Sequence, residues 1–581
     1  TADPGNAAPV IGFTDVAEVE FAVTMTVTRI HEDPRVTLPY TDAQWRAIDA
    51  LGEKVDADLV VDDVRLTQGG EPTFVSIDDM EGPEWNYTAL SPAKRQLGEI
   101  LIKRLKSKFA PEGFLHYGQG KWYPGEPLPR WALGVFWRAD GVPLWQGDTL
   151  IADTTKPGAS TVAMARVFGE HVATSLGLPA TQLITAHEDV PKLLQQEAAL
   201  PGNADPLAAD LAKPDERARL ARLLTAGLGS PAGYVLPLKA TVDDNAELIW
   251  ISSPWPLKRE HLYALPGDSP LGLRLPLGSL PELLPDEAEQ DLPVDPFAPR
   301  KALPPRKRLR AKGAKVRGAK PREVVKTALT LQVRDGHLYV FMPPCEKLEA
   351  YVALLAVIED AARALATPVA IEGYTPPRDP RLKVLSVTPD PGVIEVNIHP
   401  AASWRELLAT TQTLYEEARQ SRLGTEKFML DGKHTGTGGG NHVTLGGATP
   451  ADSPLLRRPD LLQSLITYWQ NHPSLSYLFS GMFIGPTSQA PRVDEARDDH
   501  LYELAIAFQQ LGRKHQGGRD SPQPWLVDRL LRHMLTDLTG NTHRAEFSID
   551  KLYSPDSATG RLGLLEFRAF EMPPHARMSA V

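Results

Sequence analysis

Cysteine is almost absent from this sequence, because Cys345 is the only one among 581 residues. A single thiol excludes an internal disulfide and is typical of proteins that work in a reducing compartment. Long apolar runs are absent as well: the sequence has no stretch of 18 consecutive apolar residues, which excludes an ordinary membrane-spanning helix. Both absences favour a cytoplasmic protein that does not insert into a membrane.

An excess of positive charge is also missing, since the net charge at pH 7 is −11. A chain of this charge is a poor partner for nucleic acids or anionic membranes. The exception is residues 281–323, where a run of acids is followed by eleven lysines and arginines between Arg300 and Arg322. We expect this charged, proline-containing segment to be a linker. Binding of a phosphate backbone is the alternative, and the lack of interleaved aromatic residues argues against it.

The length and the pattern of the chain predict several domains with an α+β fold. A chain of 581 residues exceeds what one hydrophobic core usually supports. We expect residues 61–280 and 324–581 to fold on either side of the linker, with helices grouped between strands. Strands are predicted at 17–30, 329–333, 337–342, 369–374, 383–387, 393–399, 544–550 and 563–570. Helices are predicted at 41–51, 92–108, 346–365, 402–420, 459–470, 499–512, 523–537 and within 158–228.

Polar side chains of ligand type recur at every second position of three predicted strands. In residues 393–399 the period of two places Glu395, Asn397 and His399 on one face, while the other face is apolar. Near the C-terminus Glu566 and Arg568 share a face in the same way. A third row consists of Arg544, Glu546, Ser548 and Asp550. A solvated outer face is the alternative, but three such rows favour a metal or phosphate site.

Glycine-rich turns supply further candidate residues. Residues 436–447 are the most glycine-dense stretch, with His442 on its rim, and they do not match the spacing of a P-loop. Glycines let backbone N–H groups approach an anion, so a ligand site is favoured over a mobile tip. Glu71 follows two glycines, where a strand passes another group closely. Lys121 lies between glycine turns and aromatic rings, and it could reach a nucleotide phosphate or belong to a structural loop.

These stretches resemble the bacterial amidoligases that usually follow a transglutaminase-like domain in the same chain. The resemblance runs from about residue 17 to the end and is carried by Gly-Gly-Glu-Pro-Thr-Phe-Val-Ser-Ile-Asp at 69–78 and by residues 116–126, 128–132, 255–260, 438–447, 540–546 and 565–571. It implies that residues 1–60 hold the tail of the preceding transglutaminase-like domain with a lead-in strand and helix. It also implies that the part from 324 to 581 is truncated.

The order of the motifs is similar to that of glutamine synthetase and glutamate–cysteine ligase. This implies an antiparallel half-barrel sheet with helices on its outer face and a large, partly helical insertion. The implied metal ligands are Glu71, Asp390, Glu395, His442 and Glu566, for Mg²⁺ or Mn²⁺. The implied ATP-binding residues are Lys121, Gly438, Gly439, Gly440 and Asn441, and the implied catalytic residues are Arg544, Glu546 and Arg568. One departure is Thr73, which stands where a second glutamate is expected, so Asp390 or Glu372 completes the metal shell or fewer metals bind.

The resemblance implies an ATP- and Mg²⁺-dependent ligase that joins a carboxylate to an amine through an acyl phosphate. Its substrates would be small-molecule or peptide carboxylates and amines. A non-catalytic scaffold for the transglutaminase-like domain is the first alternative, kept open by Thr73. A zinc hydrolase built on His399 and His442 is the second, and the absence of a His-x-x-x-His spacing argues against it. Cys345 lies far in sequence from any paired histidine and is expected in the core rather than in catalysis.

Overall fold

A computed structural model describes residues 38–126, 128–188, 231–257, 261–281, 295–428, 434–472, 474–480, 500–515, 523–536, 540–556 and 560–581. The predicted strand at 17–30 lies outside these described residues, as does the part of the predicted helical region from 189 to 228. All structural statements below concern the described residues.

Most predicted helices are present, with three differences. The helix predicted at 41–51 extends to Val61, the one predicted at 523–537 ends at Leu531, and residues Ile184–Glu188 of the predicted helical region form a strand. The helices are α1 (Asp42–Val61), α2 (Pro92–Phe109), α3 (Val162–Ser175), α4 (Leu348–Ala364), α5 (Trp404–Gln420), α6 (Pro454–Arg457), α7 (Pro459–Asn471), α8 (Ser474–Ser480), α9 (His500–His515), α10 (Pro524–Leu531) and α11 (Ala576–Ala580). Helix α1 begins at a capping box, in which the Thr41 hydroxyl accepts a hydrogen bond from the Gln44 N–H at 3.3 Å. Among the described helices, none combines the length and the apolar character needed to cross a membrane.

The strands form one large sheet and two small ones. They are β1 (Thr67–Glu71), β2 (Thr73–Ser76), β3 (Phe114–Gln119), β4 (Trp131–Arg138), β5 (Ile184–Glu188), β6 (Gly233–Pro237), β7 (Lys239–Val242), β8 (Leu248–Ser252), β9 (Leu262–Ala264), β10 (Gly313–Val316), β11 (Ala328–Arg334), β12 (His337–Met342), β13 (Val369–Gly373), β14 (Leu382–Asp390), β15 (Val393–Ala401), β16 (Leu423–Gly424), β17 (Glu426–Phe428), β18 (His434–Gly436), β19 (His442–Gly446), β20 (Phe547–Ser548) and β21 (Leu565–Phe567). The large sheet has the order β20-β21-β19-β1-β15-β14-β4-β3-β13-β12-β11-β6-β5-β9.

The half of the sheet that carries the predicted motifs is antiparallel. Every pairing from β20 to β3 is antiparallel, whereas β3–β13, β12–β13 and β5–β9 are parallel. The fold is therefore of the α+β class, as predicted.

Apolar helix faces cover the sheet. Leu101 and Ile102 of α2 are fully buried in one apolar cluster with Leu133 of β4 and Leu385 of β14. Each such side chain contributes roughly 1.5–3 kcal/mol on burial. Helix α4, predicted at 346–365, packs in a second cluster with β11, β12 and β13. Helix α2 therefore covers strands of the antiparallel half, whereas α4 covers strands beyond it.

The basic part of the predicted linker is folded. Strand β10 pairs in parallel with β8 over Gly313–Val316. Arg306 forms an ion pair with the fully buried Glu359 of α4, and Arg310 contacts Asp360 at 3.0 Å. These positive charges are therefore neutralised by a helix of the same chain, because acids on α4 face them. Residues 282–294 lie outside the described residues, and the domain boundaries stay predictions.

Two predicted strands are much shorter than expected. The segment predicted at 544–550 is a strand only over Phe547–Ser548, and the segment at 563–570 only over Leu565–Phe567. Residues Thr542–Arg544 form a short 3-10 turn, whose Asn541 side chain accepts a hydrogen bond from the His543 N–H at 2.9 Å. The alternation of polar residues therefore does not extend back to Arg544.

Candidate active site

Three neighbouring strands bring three of the predicted ligands together. Strands β1, β19 and β21 are consecutive in the sheet, and Glu71 lies directly opposite His442. Thr444, two residues beyond His442, lies opposite Glu566. Because side chains two residues apart share a face of a strand, Glu71, His442 and Glu566 converge. All three are buried, and one donor atom from each lies within 4.8 Å of the other two. We call these residues the trio.

Hydrogen bonds from one ring nitrogen join the trio. His442 Nδ1 lies 3.2 Å from Glu71 Oε2 and 3.3 Å from Glu566 Oε1. Burial would lower the pKa of His442, but its hydrogen bonds to Glu566 and Glu71 raise that pKa above the usual value. The ring donates its Nδ1–H towards both carboxylates, whose negative charges stabilise the protonated ring more than water would.

The two glutamates stay ionised in spite of their burial. Burial would raise the pKa of Glu71, but the hydrogen bond from His442 and the charge of Lys551 hold it well below the usual range. Burial opposes ionisation of Glu566 as well, yet the hydrogen bond from His442, with the charges of Arg568 and Lys551, lowers its pKa to about 2. Two carboxylates and an imidazole at this spacing form a donor set that suits a small divalent cation.

Lys551 completes this centre, and the sequence did not indicate it. Its Nζ lies 2.8 Å from Glu71 Oε1 and 3.1 Å from Glu566 Oε2. The backbone carbonyl of Lys551 accepts hydrogen bonds from the N–H groups of Leu562 and Leu564, both at 3.1 Å. Alternation along a continuous strand would have put Lys551 on the opposite face from Asp550. The chain instead leaves the strand after Ser548, so Lys551 turns towards the trio.

Arg568 and the backbone of Glu546 lie beside the trio. Arg568 forms an ion pair with Glu566, and its backbone N–H donates to the Glu546 carbonyl at 2.8 Å. Both side chains are buried, and the Arg568 Nε has no hydrogen-bond partner among the described residues. The third predicted catalytic residue, Arg544, ends the short turn before β20, and its side chain is outside the described part.

Glu395 lies next to the trio but outside it. Both of its carboxylate oxygens are within 3.4 Å of Lys121 Nζ, and Glu395 Oε1 accepts from Asn397 Nδ2 at 2.9 Å. Burial raises the pKa of Glu395, and the negative charge of Glu71 raises it further. Lys121 therefore contacts a predicted metal ligand, and its charge also helps to lower the pKa of Glu71.

Asp390 has partners of its own. Its carboxylate forms an ion pair with Arg130, and its backbone carbonyl accepts from the buried Lys94 Nζ at 2.9 Å. Lys94 also donates to the Thr88 carbonyl at 3.1 Å. Asp390 thus belongs to a neighbouring ion-pair network and is not one of the three converging ligands.

The prediction that His399 shares a face with Glu395 and Asn397 is wrong. Gln68 of β1 pairs with Ala401 and Gly70 pairs with Ile398, so two steps on β1 oppose three steps on β15. This bulge inserts one residue and turns the following side chain to the other face. His399 accordingly packs edge-on against Phe109 and Trp137, with ring centroids 5.0 and 5.3 Å away. It cannot join His442 in the zinc site that was the alternative hypothesis.

The comparisons with known proteins address the family directly. The family model described as "Putative amidoligase enzyme (DUF2126)" matches residues 15–581. The chain belongs to this amidoligase family. The resemblance to the amidoligase family is thereby confirmed, while the preceding transglutaminase-like domain and the relation to glutamine synthetase stay predictions. The family's description supports a ligase in coarse terms. No curated protein and no solved structure matches the chain.

In this amidoligase the departure at Thr73 has a structural explanation. The Thr73 hydroxyl donates to the Gly440 carbonyl at 2.8 Å and lies 2.9 Å from the Thr437 hydroxyl. Thr437 in turn accepts from the Gly439 N–H at 3.1 Å. Glu372, one of the proposed replacements for the missing carboxylate, is paired with Arg334 at 3.1 Å. Position 73 therefore anchors the glycine-rich residues 436–441, here called the glycine loop, and supplies no carboxylate to the trio.

The glycine loop of the amidoligase is tied down at both ends. Gly438 has a φ of +81°, a conformation that glycine adopts without strain. A Cβ at Gly440 would lie 2.7 Å from His442 Nε2, so only glycine fits against that ring. Asn441 is buried, donates its N–H to the Phe570 carbonyl at 2.8 Å and its Nδ2 to the Ser579 hydroxyl at 3.1 Å. Asn441 thus fixes the loop to the C-terminal segment.

A cavity of about 420 Å³ opens beside the trio of the amidoligase. It is lined by Arg378, Arg532, Asp550, Lys551, Ser554, Gly560 and Leu562. Arg532 is neutralised by Asp528 and Asp556, whereas Arg378 makes no hydrogen bond or ion pair with any described residue. Arg378 is exposed, and it lines the cavity together with Lys551, which contacts Glu71 and Glu566. The loop that holds Arg378 matches no motif, so the sequence analysis did not predict a role for this residue.

Proposed function

We propose that this protein is an ATP- and Mg²⁺-dependent carboxylate–amine ligase, which forms an amide or peptide bond through an acyl phosphate on a glutamine-synthetase-type sheet. The observation that carries the proposal is the convergence of Glu71, His442 and Glu566 within 4.8 Å, surrounded by basic side chains. Membership of the amidoligase family supports the same chemistry.

The reaction requires charge neutralisation more than a nucleophile. A carboxylate does not react with an amine until it is activated, and transfer of a phosphoryl group to it depends on positioning and on cations around the developing charge. Lys551, Arg568 and Arg378 supply such cations at the trio and its cavity. Cys345 is unsuited to covalent catalysis, because burial raises the pKa of its thiol to about 12.

The donor set of the trio fits Mg²⁺ or Mn²⁺. Glu71 and Glu566 would contribute oxygens and His442 one nitrogen, and their closeness supports this assignment. A bound ion would neutralise phosphate charge and orient the transferred group. The chain's own part is to hold both carboxylates ionised, through the hydrogen bonds of His442 and Lys551, and to direct Arg568 to the same place.

The binding roles divide between two sides of the trio. Lys121 and the loop Gly438–Gly440 lie on the side of Glu395 and Thr73, and we assign nucleotide binding to them. The cavity lined by Arg378 lies on the other side, next to Lys551, and we assign the acid substrate to it. Arg568 can place a second guanidinium nitrogen on the transferred group, since its Nε has no partner among the described residues.

Product analysis tests the proposal. The protein is incubated with ATP, Mg²⁺ and a panel of acids and amines, and amide products and ADP are measured by mass spectrometry. Formation of an amide with one ADP per product is the expected result, and Glu566→Gln should abolish it. Glu372→Gln is the matched control, because it alters a buried Glu–Arg pair outside the trio. A parent protein that binds neither ATP nor metal would favour the scaffold function.

A further inference from the structure

Even without counting the ring of His442, the acidic groups around the trio are matched by lysine and arginine side chains before any ligand is added. Glu71, Glu395 and Glu566 contribute three negative charges. Lys121 contacts Glu395, Lys551 contacts both other glutamates, and Arg568 is paired with Glu566, which gives three positive charges. A site built only to attract a free divalent cation would have an excess of negative charge.

Lys551 also occupies the oxygens that a metal would use. On Glu71, Oε2 faces His442 and Oε1 faces Lys551. On Glu566, Oε1 faces His442 and Arg568, and Oε2 faces Lys551. Every carboxylate oxygen of the trio therefore has a cationic or donor partner. A divalent ion must compete with these partners, and it adds two positive charges to a cluster that has no excess of negative charge.

We propose that Lys551 is an internal cation that prevents a divalent ion from binding alone, so that the metal enters only together with an anionic ligand. The anion supplies the missing negative charge and gives the displaced ammonium group a new partner. That this anion is the polyphosphate of a nucleotide rests on the proposed function, whereas the blocking role of Lys551 does not.

The surroundings of Lys551 allow this exchange. Its side chain is 35% exposed, whereas those of Glu71 and Glu566 are 9% and 2% exposed. It borders the cavity of about 420 Å³, so its ammonium group can leave the glutamates without being buried elsewhere.

The first experiment measures binding of Mn²⁺ alone to the full chain by electron paramagnetic resonance of the free ion. Lys551→Met should bind Mn²⁺ about tenfold or more tightly than the parent, because a like charge and a competitor for the oxygens are both removed. Lys551→Arg keeps the charge and should behave like the parent. Lys103→Met is the matched control, since Lys103 bridges Glu99 and Asp153 at 2.9 and 3.0 Å away from the trio. Equal Mn²⁺ affinity of Lys551→Met and the parent would overturn the proposal.

The second experiment needs no variant, so it stands even if Lys551→Met does not fold. The melting temperature of the parent is measured with Mn²⁺ alone, with a non-hydrolysable ATP analogue and chelator, and with both ligands. With both ligands the increase in melting temperature should exceed the sum of the two separate increases, because bound Mn²⁺ and bound analogue each raise the affinity for the other. A full shift with Mn²⁺ alone would contradict the blocking role. If the analogue has no effect with or without Mn²⁺, the proposed nucleotide fails, while the Mn²⁺ affinity of Lys551→Met still decides the role of Lys551.

Discussion

Two buried acidic clusters of this protein differ in the ratio of acids to hydrogen-bond donors. On helix α4, Glu359 is fully buried and accepts from Arg363 at 2.6 Å, from the Gln146 N–H at 3.0 Å and from Arg306. One acid there is surrounded by fixed donors. In the trio, two acids share one lysine and one histidine, and the shared lysine borders a cavity.

The difference separates a structural ion pair from a candidate site. A buried acid with a full set of partners stabilises one conformation, and its loss leaves uncompensated charges. Two acids brought together by adjacent strands repel each other and need cations that can be exchanged. Next to the trio, the Arg568 Nε has no hydrogen-bond partner within the described part of the chain, whereas both oxygens of Glu359 are hydrogen-bonded.

The largest effect is expected when one glutamate of each cluster is replaced by glutamine and the rates of amide formation are compared. Glu566→Gln should lower ATP-dependent amide formation by at least about 100-fold, because a proposed metal ligand and the partner of Arg568 are lost together. Glu359→Gln should leave the chemistry unchanged and reduce the free energy of unfolding by about 1–3 kcal/mol, because Arg306 and Arg363 lose a charged acceptor. Turnover and urea unfolding of both variants check this. An equal loss of turnover in both would remove the distinction between the clusters.

A smaller effect is expected when only the shape of a cation changes. Arg568→Lys keeps the charge but loses the planar fork, so turnover should fall about tenfold or more while nucleotide affinity changes little. Arg334→Lys is the matched control, because Arg334 contacts both oxygens of the buried Glu372 outside the trio. Steady-state kinetics separate kcat from KM. If Arg568→Lys and Arg568→Ala both turn over like the parent, Arg568 is a structural partner of Glu566.

Sequence patterns found the parts of the site that lie on regular strands. The period of two paired Glu395 with Asn397 and Glu566 with Arg568, and both pairs do share a face and touch. The prediction from this period was wrong at His399, because the bulge in β15 is set by pairing with β1, more than 300 residues earlier in the chain. Local alternation contains no information about such a distant partner.

Residues on loops could not be found from the sequence. Lys551 meets Glu71 across 480 positions of the chain, and neither residue's neighbours indicate the contact. Arg378 lies between β13 and β14 in a segment without a motif. The role of Thr73 was equally hidden, because its partners Thr437 and Gly440 are brought to it by the register of β1 and β19.

A still smaller effect is expected from Thr73, which holds the glycine loop and is not a ligand of the trio. Thr73→Val removes the hydroxyl that holds the glycine loop, and the loss of one buried hydrogen bond corresponds to about 1 kcal/mol. Nucleotide affinity should fall several-fold, whereas Mn²⁺ affinity should stay the same because no trio ligand changes. Thr73→Ser keeps the hydroxyl and serves as the control in the same titrations. A parallel loss of metal and nucleotide affinity would place Thr73 among the metal ligands instead.

The smallest expected effect is the pH dependence that His442 contributes. The pKa of His442 in the folded protein is raised above its usual value of 6.5, so its stabilising contribution is complete below that value and is lost as the pH rises through the folded-state pKa. Lys94 acts in the opposite direction, because burial lowers its pKa to about 7 and stability is gained as the pH rises through that value. The expected signal is therefore a difference between variants, measured in chelator. The melting temperature of the parent should exceed that of His442→Gln by less at about pH 9 than at about pH 6. The difference between the parent and Glu359→Gln should stay constant, because the Glu359 cluster contains no histidine. A difference between the parent and His442→Gln that does not change with pH would contradict the role of His442, and one that grows with pH would mean that burial outweighs the hydrogen bonds of His442 to the two glutamates.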